Sequence, residues 1–325
     1  MQRVQRLLTP DMWEYLTPFR DDIYTFEEFL TAISKFPAFC GEKGTHGHAA
    51  TLTADEVCQK EISTLFAHFS KETGFNTAGA TVPAGYPGAG QKVDEAWRQA
   101  LYFIREKDCG GSGCDYFSSD YGNDVSYPRP DSTTQYFGRG AFQLSWNYNY
   151  GRYSNVQFGD SSVLLNDPDR VARDGWLAIA SAIWFYQTPQ APKPSMHDIV
   201  TGFWQPNASD ASAGFEAGFG ATINVINGGL ECGAQSWAEN ARSGYYRGLM
   251  NYFGVSLDST EVDDCQDQTN YFSSSGSAAL VPQYFDRDWS SQASCKLVTW
   301  ATPYSLFTPG DYKRCVCSFS SGCDL

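Results

Sequence analysis

The sequence predicts a mainly α-helical fold with a small β element and a small Cys-rich C-terminal extension. Three observations carry that expectation. Capping-box patterns at Thr25-Phe26-Glu27-Glu28 and Thr53–Glu56 are each followed by apolar residues at helical spacing. One stretch, Phe142 to Tyr150, alternates instead with period two, putting Phe142, Leu144, Trp146, Tyr148 and Tyr150 on one side and Gln143, Ser145, Asn147 and Asn149 on the other. Finally, Cys295, Cys315, Cys317 and Cys323 crowd into residues 280–325, a density that implies a cross-linked appendage.

Composition narrows the class. Hydrophobic residues make up 42% and aromatics 15%, ample for a packed core, while charged residues reach only 18%. The net charge of −14 makes nucleic acid or an anionic membrane an unsuitable partner and raises no objection to a neutral polymer. Ten cysteines with no paired CxxC motif point to disulfides in an oxidising compartment, hence to a secreted protein. The N-terminal MQRVQRLLTPDMW lacks the apolar run of a signal peptide, so a trimmed leader or another export route is expected.

Taken in order, the first amphipathic helix carries Phe26, Phe29, Leu30 and Ile33 and ends near Pro37. His46 and His48 follow in a loop, with no third ligand nearby, and no metal is expected. A second helix begins at the Thr53 capping box and buries Ile62, Leu65, Phe66 and Phe69. Glu72 lies at the end of this apolar stripe. It is either a paired or desolvated carboxylate, or an exposed last-turn residue stopped by Gly74. A third helix is expected over about 94–106, with Trp97, Leu101 and Ile104 inward and Glu106 at its end. A Gly-, Ser- and Asp-rich loop leads to Tyr136–Gly151, where Gly138 and Gly140 permit a tight turn or a close backbone approach. A long buried helix is expected over 167–187, ended by Pro189, Pro192 and Pro194, and a final helix over about 236–252. His197 reads as a structural hydrogen-bonding residue. Three regions result: a main domain at 1–256, a polar linker-like segment at 257–279, and the Cys-rich extension at 280–325, packed on or tethered to the main domain.

A row of amides and a hydroxyl at Gln143, Ser145, Asn147 and Asn149 suits a neutral ligand rich in hydroxyls and amides, such as a sugar; a solvated strand face is the plainer reading. Hydrolysis of a glycosidic bond needs two carboxyl groups, and Glu72 and Glu106 each close an expected amphipathic helix. The run YFGRGAFQLSWNYNYG resembles the signature of glycoside hydrolase family 19 chitinases. Ala67-His68-Phe69-Ser70-Lys71-Glu72-Thr73-Gly74 resembles the family's AHxxxETG motif, and Tyr102-Phe103-Ile104-Arg105-Glu106 its YCFIRE motif. Thr188–Ser195 matches TPQxPKPS, and Ile226–Gly233 matches INGGLECG. The similarity runs in one order from about Leu8 to Val255.

The resemblance implies a lysozyme-like, two-lobed helical domain with a deep cleft, acting as an inverting endochitinase without metal or cofactor. It implies Glu72 as general acid, Glu106 as general base and Ser145 as holder of the attacking water. Gln143, Tyr148, Asn149, Gln190, Lys193 and Asn227 become substrate ligands, and Glu231 and Arg242 a charge network beside Glu72. The implied partner is chitin or chitooligosaccharide, bound by a monomer. By analogy with the family, Cys232 pairs with Cys265; Cys109–Cys114 and Cys40–Cys58 are the further pairings considered. Lys71 departs from the family's usual His and places a cation beside the acid, which would shift the pH optimum downward. A peptidoglycan-cleaving lysozyme-like hydrolase and an inactive, lectin-like or defensive chitin binder are the alternatives.

Overall fold

The computed structural model describes residues 1–75, 79–84, 87–119, 127–190, 192–233, 237–269, 275–280, 284–286 and 296–298. The chain opens with α1 (Gln2–Leu7) and α2 (Pro10–Leu16), the second with proline in its first turn and Thr9 accepting from the Met12 amide. In α3 (Phe26–Ser34) the Thr25 hydroxyl caps the Glu28 amide. In α4 (Ala54–Thr73) the capping box closes fully: Thr53 N donates to Glu56 Oε2 at 2.7 Å and Glu56 N donates to Thr53 Oγ1 at 3.2 Å. Both expected starts are therefore present.

The core is assembled around α4. It packs along α8 (Met196–Thr201) and α11 (Trp237–Phe253), while α3 lies along α7 (Gly175–Gln187); α6 (Ser162–Asn166) and α9 (Ala208–Ser212) are single short turns of helix between the longer elements. Ile62, Leu65, Phe66 and Phe69 are buried as their spacing predicts. Burial extends further, to Lys60, Glu61, Ser63, Thr64, His68 and Ser70, so α4 is enclosed almost all round. Most of these polar groups have partners. Thr64 donates to Lys60 O, Ser70 to Trp97 O, and Lys60 Nζ lies 3.0 Å from Glu261. No helix among the described residues is long and apolar enough to cross a membrane.

Three sequence expectations are corrected. First, the expected helix over 94–106 is absent: a single 3₁₀ turn, Ala96–Arg98, is followed by a non-helical chain. Leu101 takes φ +67°, and the backbone of this segment bonds elsewhere, from Leu101 N to Thr73 Oγ1 and from Phe103 N to Thr73 O. The helix-like apolar spacing is satisfied by tertiary contacts instead. Second, the helix over 167–187 is two elements, a 3₁₀ turn at Pro168–Ala172 and α7, separated at Arg173 and Asp174, where Asp174 turns extended (ψ 105°). Third, the alternating stretch is not a strand. A turn at 140–143, flanked by the Arg139 to Leu144 bridge with Arg105 bridging Arg139 from the other side, leads into α5 (Asn147–Phe158).

The described parts of the segment read as linker-like, 257–269 and 275–279, bond to residues of the region before them, as where Ser277 N and Oγ donate to Asp210 Oδ2. Cys265 is buried and bonded to Cys232, Asn224 Nδ2 donates to Thr269 O and to Gln268 Oε1, and Glu261 lies between His48 and Lys60. Leu257, Ser259, Thr260, Gln266, Asp267 and Thr269 face solvent, while Cys265 and Gln268 turn inward. Cys40–Cys58 and Cys109–Cys114 are also bonded, and the remaining four cysteines lie outside the described residues. α12 (Ser277–Leu280) straddles the end of the segment, and an antiparallel pair follows, β1 (Tyr284–Asp286) with β2 (Lys296–Val298), in register Tyr284 to Val298.

His197 is structural, through a partner that the sequence did not suggest. Its Nδ1 lies 2.7 Å from Glu61 Oε1 on α4, and Glu61 Oε2 accepts from Cys40 N. Burial opposes the imidazolium charge, but Glu61, with Glu42 and Asp198, raises the His197 pKa to about 10. The folded value exceeds the unfolded one of about 6.5. The stability this pair contributes is therefore complete below about pH 6.5 and is lost as pH rises through about 10. We expect the melting-temperature gap between wild type and His197→Asn to narrow from pH 7 to 10.5; a constant gap would refute the pairing.

Candidate active site

A cleft of about 750 Å³ opens over the helical core. Both glutamates, Glu72 and Glu106, line it. Gln143, Ser145, Tyr148 and Asn149 line it from the turn before α5 and from that helix's first turn. Gln190 and Lys193 come from the Pro-rich turn after α7, and Asn227 from α10 (Phe219–Glu231).

Glu106 sits on non-helical chain, held edge to edge against the glycine-bracketed turn. Its amide donates to Gly138 O at 2.8 Å, and Gly138 N donates back to Glu106 Oε2 at 2.9 Å. A Cβ at position 138 would stand 2.9 Å from Gln143 Cβ and 3.3 Å from Glu106 Oε2, so the close approach needs glycine. Gly140 takes φ +77° and packs on the Ala178 carbonyl. Arg139 locks this turn from beneath, donating to Gln135 O, Phe137 O, the Tyr150 hydroxyl and Asp169. The second oxygen of Glu106 accepts from the Tyr116 hydroxyl at 2.8 Å. Burial first, then the bond and charge of Glu106, push Tyr116 up to about 12, so it remains a donor across the working pH range.

Glu72 lies in the last turn of α4 with its side chain 19% exposed, and it is paired. Arg242 of α11 is the hub. Its Nη2 donates to Glu72 Oε1 and to Glu231 Oε1 (2.9 Å), its Nε to Glu231 Oε2 (2.8 Å), and its Nη1 to His68 Nδ1 (3.0 Å). Arg242 and Glu231 are 1% and 3% exposed. Burial opposes the Glu231 charge, but the hydrogen bonds and charge of Arg242, with Asn227 and Lys71, hold its carboxyl below the usual range. His68 completes the hub: burial, then Arg242, drives its pKa well below 6.5, and its Nε2 lies 3.0 Å from Thr222 Oγ1, whose hydroxyl is engaged with Phe219 O. The imidazole is therefore neutral, with Nε2–H donating to Thr222 and Nδ1 accepting from Arg242.

The remaining cleft residues have definite partners. Ser145 Oγ donates to Gln143 O at 2.9 Å, which leaves its lone pairs for a water proton. Gln143 Nε2 donates to Gly140 O, and Asn149 Nδ2 to Ser145 O. Gln190 and Lys193 exchange backbone bonds. The Lys193 ammonium donates to Asn224 O and Val225 O, just before α10 breaks helical geometry at Asn227, and burial lowers its pKa. Asn227 Nδ2 donates to Glu231 Oε1, so this residue joins the cleft to the Arg242 hub.

Sequence reasoning gave no role to His68, Tyr116, Arg139 or Thr222. His68 had a signal, since it stands one helical turn before Glu72 on the same face. Tyr116 had none, because only the fold carries its loop to Glu106. There the loop is clasped by Asn147, which accepts from Ser118 N and donates to Ser118 O.

Acid–base cleavage between sugars asks for two carboxyl groups on one cleft, and a helical frame that brings Glu72 and Glu106 together there has the equipment of a glycoside hydrolase. The family model described as "Chitinase class I" matches residues 17–265. The chain belongs to that family, the glycoside hydrolase family 19 chitinases. The chain is 35% identical over 274 residues to Endochitinase 1 of Theobroma cacao, covering 82% of this chain and 74% of that one. With Basic endochitinase B of Arabidopsis thaliana it shares 37% over 259 residues, covering 79% and 67%. It is also 38% identical over 251 residues to Inactive chitinase-like protein 1 of Hevea brasiliensis, covering 76% and 68%. Among solved structures, chitinase C of Streptomyces griseus superposes with a TM-score of 0.55 at 24% identity, covering 80% of each chain. The class IV chitinase of Zea mays gives 0.53 at 24%, covering 79% of this chain and 97% of that one. The fold is accordingly mainly helical and lysozyme-like.

Proposed function

We propose that this protein is a secreted, monomeric endochitinase that hydrolyses β-1,4-linked N-acetylglucosamine polymers with inversion at the anomeric carbon. Glu72 is the general acid and Glu106 the general base. The observation that carries the reading is the unequal setting of two carboxyls in one cleft. Glu72 shares Arg242 with Glu231, a balance of one cation and one competing anion around the proton donor. Among the described residues Glu106 accepts from two neutral donors, Gly138 N–H and the Tyr116 hydroxyl, which hold both its oxygens and suit a base. Ser145 accepts a proton of the attacking water, while Gln143, Tyr148, Asn149, Gln190, Lys193 and Asn227 line the sugar path. The three disulfides among the described residues support an oxidising compartment.

Proton NMR of fresh products from N-acetylglucosamine hexamer tests this. α-Anomers should appear before mutarotation; β-anomers would overturn inversion. The inactive Hevea relative motivates a second reading, chitin binding without cleavage. Hexamer bound but left whole would establish it.

A further inference from the structure

We propose that Trp146 is a sugar-stacking platform on the Glu106 side of the cleft, with Leu230 as an apolar contact near Glu231. This rests on the reading that the cleft takes an N-acetylglucosamine chain. Two of the exposed large apolar side chains among the described residues, Trp146 at 38% and Leu230 at 83%, line the cleft. Burial satisfies the rest of the aromatic row from which Trp146 comes: Phe142, Leu144 and Tyr150 are in the core, and Tyr148 is half-buried.

The exposure of Trp146 is built in. Its backbone takes φ +75°, a left-handed conformation that a bulky residue rarely adopts and that clusters at functional sites. Hydrogen bonds hold it there: Trp146 N donates to Tyr136 O at 2.9 Å, and Trp146 O accepts from Asn149 N at 3.0 Å. The indole is also fixed. Tyr116 meets it edge-on at 5.3 Å and Tyr148 lies nearly parallel at 6.0 Å. Tyr116 is the residue that donates to Glu106, so one side chain separates the indole from that carboxylate. A pyranose presents an apolar C–H face as well as polar edges. A fixed, exposed indole beside a row of amides offers a match for both.

The test is hexamer binding to the Glu72→Gln protein, measured by calorimetry. Trp146→Gly should weaken binding about tenfold, a difference of about 1.4 kcal/mol, with no fall in melting temperature, because glycine accepts the positive φ without strain. Trp146→Phe should restore most of the affinity, and Leu230→Ser should cost about threefold, or roughly 0.65 kcal/mol. A Trp146→Gly protein that binds as tightly as its parent would overturn the platform. Should that variant fail to fold, the Trp146 indole N–H signal, assigned by its loss in Trp146→Phe, must shift when hexamer binds the parent; an unmoved signal also overturns it. Hexamer bound through Trp146 but left uncleaved by the wild type would overturn only the hydrolase reading.

Discussion

Replacing Glu72 by Gln lowers kcat on the N-acetylglucosamine hexamer by about 10²–10⁴-fold and leaves hexamer affinity nearly unchanged. The amide keeps the shape of the carboxyl and can still accept from Arg242 Nη2, so the Arg242–Glu231 pairing and the fold should persist. What it removes is the proton that a departing sugar oxygen requires. Because that proton matters mainly in the transition state, kcat should fall while binding survives. Joint loss of binding and of folded structure would mean that Glu72 is structural and would sink its assignment as the acid. Comparable activity in the variant would sink it as well.

The second large effect is on stability. Arg242→Met should destabilise the protein by about 3–5 kcal/mol, since removing one partner strands a buried charge. The stranded group is Glu231, 3% exposed, which takes two of the guanidinium nitrogens, and Glu72 and His68 each lose a bond too. For a domain of this size that corresponds to a fall in melting temperature of about 6–20 °C. Adding Glu231→Gln should recover part of the loss, because the stranded charge is then gone; the double-mutant cycle measures that coupling. A melting temperature within about 2 °C of wild type would show that Glu231 is not bound by Arg242 in solution. Activity should fall with Arg242→Met even where the protein remains folded, since Glu72 loses its anchor.

The site was unevenly legible in the sequence. Motif resemblance marked Glu72, Glu106, Gln143, Ser145, Tyr148, Asn149, Gln190, Lys193, Asn227, Glu231 and Arg242, and the tertiary fold then brought the cleft residues together. Periodicity failed just where the chain leaves regular structure. Residues 99–106 carry helix-like spacing, yet Thr73 and the glycine turn take up their backbone groups, and Glu106 arrives on non-helical chain. Phe142–Tyr150 carries strand-like alternation, yet positive φ at Gln143 and Trp146 folds it into a turn and a helix. Such departures gather at the cleft, where local preference gives way to the placing of side chains.

The sequence by itself determined the helical class, the capped starts of α3 and α4, the apolar stripe of α4 and the membership signalled by five motifs. These are local or linear properties, carried by residues near one another in the chain. Only the tertiary structure decided that Arg242 joins Glu72, Glu231 and His68, that Tyr116 holds Glu106, that Glu61 charges His197, and that 257–269 is pinned to the body by buried polar contacts. Each of these unites groups far apart in sequence inside a low-dielectric interior. There a buried polar atom must find its partner in space, and no local pattern of residues records where that partner is.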